Sequence, residues 1–293
     1  MKDIIVIVGP TGIGKTKLSI ELAKKLNAEI INGDSVAVYK GLDIGSAKPT
    51  IEEQEKIPHH LLDIVNIEEE YSVYDYQQDV RKKIVELTKK KKQIIIVGGT
   101  GLYIKAALYD YRFTEGTTHN KYDNLTNKEL AEKIKQYQIE CQEENNRQRL
   151  VRLLNKLENG EEITKYKDKC LYPIKVIGLT TSRDILYERI NKRVDIMIKN
   201  GLLEEVTSLK EKYKVSRILN SGIGYKEFYD YFYKEKPLIE VIDKIKKDSR
   251  RFAKRQYTFF NHQFHTKWFN VDFNNFNNTI EEVYDYINRD HNK

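Results

Sequence analysis

Cysteine is scarce: Cys141 and Cys170 are the only two in 293 residues, and they lie in unrelated surroundings with no paired spacing. A disulfide framework and a zinc site are thereby disfavoured, and both thiols read as bystanders. Long apolar runs are missing as well. No stretch approaches the roughly 20 residues a membrane helix needs, and the N-terminus passes into a short apolar segment without a signal-peptide pattern. A cytosolic protein with no membrane contact is expected. Acidic excess is absent too: 51 Lys and Arg face 44 Asp and Glu, a formal net charge of +7. That balance suits a polyanionic partner, although a lysine-rich proteome would produce it equally. No internal repeat is evident. What remains is 40% hydrophobic residues, enough core for one large domain or two modest ones.

The most specific local signal is GPTGIGKT, residues 9 to 16. Gly9, Gly12 and Gly14 can adopt backbone angles closed to other residues, so the N–H groups of Gly9, Thr11, Gly12, Ile13 and Gly14 can turn inward on an anion, with Pro10 shaping the loop and offering no N–H of its own. Lys15 adds a point charge, and the Thr16 hydroxyl can hold a magnesium ion that bridges phosphate oxygens. The apolar run Ile4 to Val8 reads as a buried parallel strand before the loop, and Thr16 to Leu26 has helical spacing after it. Phosphate binding follows, with a nucleotide as the first ligand to expect; the loop does not say what is done to the phosphate.

Further strands are expected at Ala28 to Asn32, Gln93 to Val97, Ile174 to Leu179 and about Trp268 to Val271. Ser72-x-x-Asp75 opens a long helix to Lys91 as a capping box, and the lysines at 89 to 92 read as its solvated end. Strands alternating with helices imply right-handed crossovers and a parallel sheet whose ligands lie beyond the carboxyl ends of the strands. Lys15, Asp34 and Thr100 all fall at that edge. The fold class is therefore α/β: a P-loop NTPase-like core, a parallel sheet flanked by helices, plus a mainly helical inserted domain. The core is assigned to 1–111, roughly 145–182 and 262–293. A polar excursion occupies roughly 112–144, with a helix near Asn127 to Tyr137, and a helical part roughly 183–261. Arg147 to Leu157 reads as a basic amphipathic helix, and Ser182 caps another that is closed by Gly201.

KIKKDSRRFAKRQ, residues 244 to 256, sets seven cations against Asp248 alone. At helical spacing Lys247, Arg250, Arg251 and Lys254 share one face, a stripe able to follow a phosphate backbone or simply a solvated surface. Tyr257, Phe259 and Phe260 come next; they stack on bases or fasten the helix to the core.

Taken together, GPTGIGKT (9–16), GDSVAVYKGLDIGSAKP (33–49), PHHLLDI (58–64), YSVYDYQQD (71–79), GGTGLY (98–103), RQRL (147–150), GIGYKE (222–227) and SRRFAKRQ (249–256) resemble, in order, the tRNA dimethylallyltransferases, also called tRNA isopentenyl transferases. The resemblance implies transfer of the dimethylallyl group of dimethylallyl diphosphate onto N6 of the adenosine 3′ of the anticodon, with release of diphosphate. It implies that the loop at 9–16 holds the prenyl diphosphate, with Mg2+ near Thr16, and that no phosphoryl group moves. Asp34 is then the base that orients the amine and takes its proton, Thr100 a hydrogen-bond partner of the diphosphate, and Arg193 a second cation on the leaving group. As alternatives, Asp34 caps a helix or holds magnesium through water, Thr100 caps the helix at Gly101, and Arg193 forms a surface salt bridge.

By the same resemblance the tRNA anticodon stem-loop is the partner, its adenine drawn into a channel. The residues carried over to the RNA side are Asp34, Ser35, Val36 and Ala37; Gln148, Arg149, Leu150, Val151 and Arg152; Ser221, Gly222, Ile223, Gly224, Tyr225 and Lys226; and Lys254, Arg255 and Gln256, continuing to Phe260. A monomer is expected. The chain departs from the family at Asn261, where an arginine is usual, and His262 and His265 lack the cysteine partners of the zinc finger that longer relatives carry. Competing readings are a small-molecule or nucleotide kinase, a non-catalytic P-loop RNA switch, and prenyl transfer to free adenine nucleotides.

Overall fold

The computed structural model describes residues 2–111, 113, 121–139, 144–160, 169–213 and 216–289; Cys141 and part of the polar excursion lie outside them. In chain order the elements are β1 (Ile4–Val8), α1 (Lys15–Leu26), β2 (Ala28–Asn32), β3 (His59–His60), α2 (Val73–Lys89), β4 (Gln93–Val97), α3 (Gly101–Leu108), α4 (Asn127–Lys135), α5 (Arg147–Glu158), β5 (Ile174–Thr180), α6 (Arg183–Lys199), α7 (Leu202–Lys212), α8 (Arg217–Ser221), α9 (Tyr229–Lys234), α10 (Leu238–Gln263), β6 (Thr266–Asn270) and α11 (Phe276–Asn288). The strands form one six-stranded sheet in the order β3-β2-β4-β1-β5-β6, and every pairing is parallel. β3 adds a strand that the sequence patterns miss, because two residues carry no readable alternation.

The pleat divides the core in two. Ile5 and Ile7 of β1 join α1, Leu186 and Ile190 of α6, and Ile280 and Val283 of α11 on one face. Ile4, Val6 and Val8 point to the other, against Tyr76 and Val80 of α2, Ile104 of α3 and Phe260 of α10. All five residues of β1 are buried, which is why the strand reads as a continuous apolar run. The Ser72–Asp75 capping box is formed, with both reciprocal bonds. Ser182 stands at the N-cap of α6, but its hydroxyl makes no capping bond.

Two compact units result, Met1–Tyr109 with Cys170–Lys293, and Asp110–Lys169. These differ from the divisions expected from sequence. In the smaller unit Leu150 and Leu154 of α5 pack on Leu130 and Ile134 of α4. The basic amphipathic helix therefore belongs with the excursion, not with the sheet. Within the larger unit the helical part has its own cluster, where Val38, Tyr39 and Leu42 meet Val206, Phe228, Val241 and Ile245. It does not separate from the sheet, because α6 and α10 each supply residues to the sheet core as well. No helix among the described residues is long and apolar enough to cross a membrane.

Candidate active site

Three strand ends deliver three loops to one edge. Gly33 after β2 donates its N–H to Val97 at 2.7 Å, and Thr100 after β4 donates to the Gly33 carbonyl at 3.1 Å. The two turns can touch because Gly98 has no side chain: a Cβ there would lie 2.2 Å from the Gly33 carbonyl. In the phosphate loop Gly12 and Gly14 take φ of 78° and 105°, the region closed to most residues. Ile13 is fully buried and anchors the loop in the sheet core. Lys15 folds over the turn, its ammonium donating to the carbonyls of Gly9 at 3.0 Å and Pro10 at 2.8 Å.

Thr11, Gly12, Gly14, Lys15 and Thr16 line a cavity of about 930 Å³, whereas Gly9, Pro10 and Ile13 build the turn beneath it. Asp34, Ser35, Val36, Ala37, Thr100 and Arg193 line the same cavity, although each group is far from the others in sequence. Arg193 arrives on α6, one turn after Arg189. The latter donates to the Gly12 carbonyl at 3.0 Å and lies 3.9 Å from the centre of the Phe273 ring, so it secures α6 to the loop. Arg193 itself makes no hydrogen bond or ion pair among the described residues, so the surface-salt-bridge alternative is not realised.

Burial and the nearby Arg193 guanidinium press the Lys15 ammonium down to about 7, with the Asp34 carboxylate partly opposing them. Arg193 is likewise lowered by desolvation, while Asp34 and Glu53 act to raise it. Two cations thus share a cavity with too little negative charge to satisfy them, an arrangement that favours a multivalent anion.

Asn32 holds Asp34 in place. Its amide oxygen accepts the Asp34 N–H at 3.0 Å, and its amide nitrogen donates to the carbonyls of Asp34 at 2.9 Å and Leu61 at 3.0 Å. One Asp34 carboxylate oxygen accepts the Val36 N–H at 3.3 Å; the other has no hydrogen-bond donor among the described residues. Thr100 occupies the N-cap position of α3 without a capping bond from its side chain. Its hydroxyl accepts the Ser35 N–H at 3.0 Å and lies 3.2 Å from the Ser35 hydroxyl.

Of the loop at 221–226, Ser221, Gly222, Ile223, Gly224 and Lys226 also line the cavity. Tyr225 does not: it is 2% exposed and donates its phenol to Glu205 at 2.8 Å. Sequence reasoning missed Glu205. Its carboxylate also accepts the N–H groups of Asp43 at 3.2 Å, Ile44 at 2.8 Å and Gly45 at 3.1 Å, joining two cavity-lining loops. No local pattern marks it, since an acid in the first turn of a helix is ordinary.

The basic helix needs correction in detail. Arg250 is half-buried and donates to Asn191 at 2.5 Å, and Lys246 pairs with Asp195 at 2.6 Å. The exposed stripe is Lys247, Arg251, Lys254 and Arg255 instead. Phe260 is fully buried, the Tyr257 phenol lies 3.0 Å from the Thr180 hydroxyl, and Phe259 packs where a Cβ on Gly101 would meet its ring. These aromatics fasten the helix to the core. Asn261, at the usual arginine position, accepts the Trp268 indole N–H at 2.7 Å. Gln256 is buried. Gln148, Arg149, Leu150, Val151 and Arg152 lie in the smaller unit, where Leu150 is buried and Arg149 and Arg152 are exposed.

A glycine-rich loop opening a parallel sheet, facing a helix-borne arginine and a strand-end carboxylate across one cavity, is the frame of a P-loop NTPase-like fold. The IPP transferase family model matches residues 37–263, and the chain belongs to that family. A tRNA dimethylallyltransferase of Anoxybacillus flavithermus is 45% identical to it, covering 98% of this chain and 96% of the relative. Among solved structures, a tRNA delta(2)-isopentenylpyrophosphate transferase from Staphylococcus epidermidis is 37% identical and covers 99% of both chains, with a TM-score of 0.75. A eukaryotic dimethylallyltransferase acting on tRNA is 26% identical with a TM-score of 0.81, covering 98% of this chain and 80% of that one.

Proposed function

We propose that this chain transfers the dimethylallyl group from dimethylallyl diphosphate to N6 of the adenosine 3′ of the anticodon in tRNA, giving N6-(dimethylallyl)adenosine and diphosphate. The carrying observation is the shared cavity: phosphate loop, Arg193, Asp34, Thr100 and the 221–226 loop all line it, in a chain 45% identical to a tRNA dimethylallyltransferase. The bond from the prenyl carbon to oxygen breaks as the bond to N6 forms. The electron pair leaves with the diphosphate, and one N6 proton passes to Asp34. An exocyclic adenine amine is a poor nucleophile, so a carboxylate with one oxygen uncommitted is suited to orient it and accept that proton. Lys15 and Arg193 oppose the charge that grows on the leaving oxygen. With the Ser35 N–H already accepted, the Thr100 hydroxyl has its own proton to donate to Ser35 or to the diphosphate.

Magnesium fits the residues present. The Thr16 hydroxyl is exposed, lines the cavity and makes no hydrogen bond among the described residues. No group of three or more His, Cys, Asp or Glu side chains among them could hold a metal. Mg2+ would accordingly take Thr16, diphosphate oxygens and water, and would supply charge neutralisation to the leaving group. The tRNA anticodon stem-loop is the acceptor, met by residues 34–37, 148–152, 221–226 and the exposed cations of α10, with the protein acting as a cytoplasmic monomer.

Incubation with unmodified tRNA, labelled dimethylallyl diphosphate and magnesium tests this. Label is expected in tRNA without ATP. Label only on free AMP, or ATP hydrolysis without prenylation, would overturn the assignment in favour of the nucleotide prenyltransferase or the kinase.

A further inference from the structure

Gln256 sits beside the exposed Lys254 and Arg255, in the stretch of α10 that the family resemblance gives to RNA, but its side chain is used elsewhere. It is 4% exposed. Its amide oxygen accepts the Thr11 N–H at 3.2 Å, and its amide nitrogen donates to the Gly99 carbonyl at 3.0 Å. Thr11 belongs to the phosphate loop, and Gly99 immediately precedes Thr100. One side chain thus spans the two loops that carry Lys15 and Thr100, using a donor on one side and an acceptor on the other. An amide of this length supplies both. Gly99 completes the fit, since a Cβ there would lie 2.1 Å from the Gln256 nitrogen.

We propose that Gln256 is a positioning residue for the diphosphate donor and not a contact for RNA. It clips the phosphate loop to the Gly98–Thr100 turn. The spacing between Lys15 and the Thr100 hydroxyl is then set before any ligand arrives, so less ordering is left to be done on binding. The Thr11 N–H, committed to Gln256, is withdrawn from the anion, and the remaining loop amides and Lys15 do the gripping. The inference rests on the reading of the loop as a diphosphate holder.

The test uses the full chain, inorganic diphosphate as probe in calorimetry, and an unmodified anticodon stem-loop in an RNA-binding assay. Gln256→Met keeps the side-chain length and removes both hydrogen bonds; Gly99→Ala displaces the amide from the other side. Each is expected to weaken diphosphate binding about tenfold, the scale of a lost hydrogen bond or two, while RNA affinity stays within about twofold. The double variant is expected to be no weaker than the worse single one, because both act on one clip. Normal diphosphate binding in Gln256→Met overturns the proposal, as does loss of RNA affinity with diphosphate binding intact. Should Gln256→Met not fold, Gly99→Ala is decisive in its place: unchanged diphosphate affinity overturns the clip. Because diphosphate binding is read without prenyl transfer, a parent protein that binds diphosphate but fails to modify tRNA leaves this test standing. A parent that binds no diphosphate sinks both readings.

Discussion

Within a single side chain, Lys15 shows how surroundings set chemistry. Its ammonium is held near 7, against an ordinary 10.5, by desolvation and by Arg193. A diphosphate placed against it favours the charged form and raises the pKa again. Binding must therefore take up a proton wherever the free amine is neutral, so affinity falls as pH rises above about 7. The loss approaches tenfold per pH unit until the higher pKa of the bound form is reached. Calorimetry at pH 8 in buffers of different ionisation enthalpy should register this uptake, and Lys15→Met should abolish that part of it. Equal uptake in the two proteins would refute the assignment. Asp34, the proposed base, is held through its backbone N–H by the Asn32 amide oxygen. Asp34→Asn should lower turnover by about a hundredfold or more while tRNA binding persists; near-normal turnover would remove Asp34 as the base.

A single element, α10, carries three jobs in 26 residues. Val241, Ile245, Ser249, Ala253, Gln256 and Phe260 are its buried positions, spaced three or four apart as an inward face must be. Lys247, Arg251 and Lys254 fall on the outside. Replacing Arg251 and Lys254 by alanine should lower the magnitude of the slope of log affinity for tRNA against log salt by about one to two. Arg250→Ala, which removes a partner of Asn191, should leave the slope unchanged. An unaltered slope in the first variant would exclude the stripe as a phosphate contact. The inward phase of Gln256 is legible in the sequence: it keeps step with Ala253 and Phe260, and that periodicity is the sign that it faces the core. Glu205 carries no comparable sign, because its partners are the Tyr225 phenol and backbone N–H groups about 160 positions away.

For the molecule as a whole, the larger unit is held by clusters on both sheet faces and a third in the helical part, and α10 enters all of them. Phe260 is the residue where this is most exposed to test. Fully buried, it packs 5.7 Å from Phe264 and 6.0 Å from Phe259, ring centre to ring centre. Phe260→Ala should cost about 3–5 kcal/mol, read as a lower denaturation midpoint. A loss below about 1 kcal/mol would contradict this packing. The Gln256 clip depends on the same docking, since α10 must lie on the sheet for one amide to reach two loops.

The sequence alone determined the glycine-rich loop and the main strands and helices of the sheet, and set the expectation of an anionic ligand, because these follow from local properties. Glycine eases the positive φ that the loop takes at Gly12 and Gly14, a five-residue apolar run suits a strand buried on both faces, and a cation beside such a loop calls for an anion. What the buried face of α10 meets, that Tyr225 turns away from the cavity, and that Arg250 belongs to Asn191 were decided by the tertiary structure. So were the boundaries of the compact units, where α5 chose α4 over the sheet. The reason is distance along the chain: Gln256 meets Gly99 across 157 positions and Thr11 across 245. Such pairings leave no periodic trace; they exist only once parallel strands have carried their loops to a common edge.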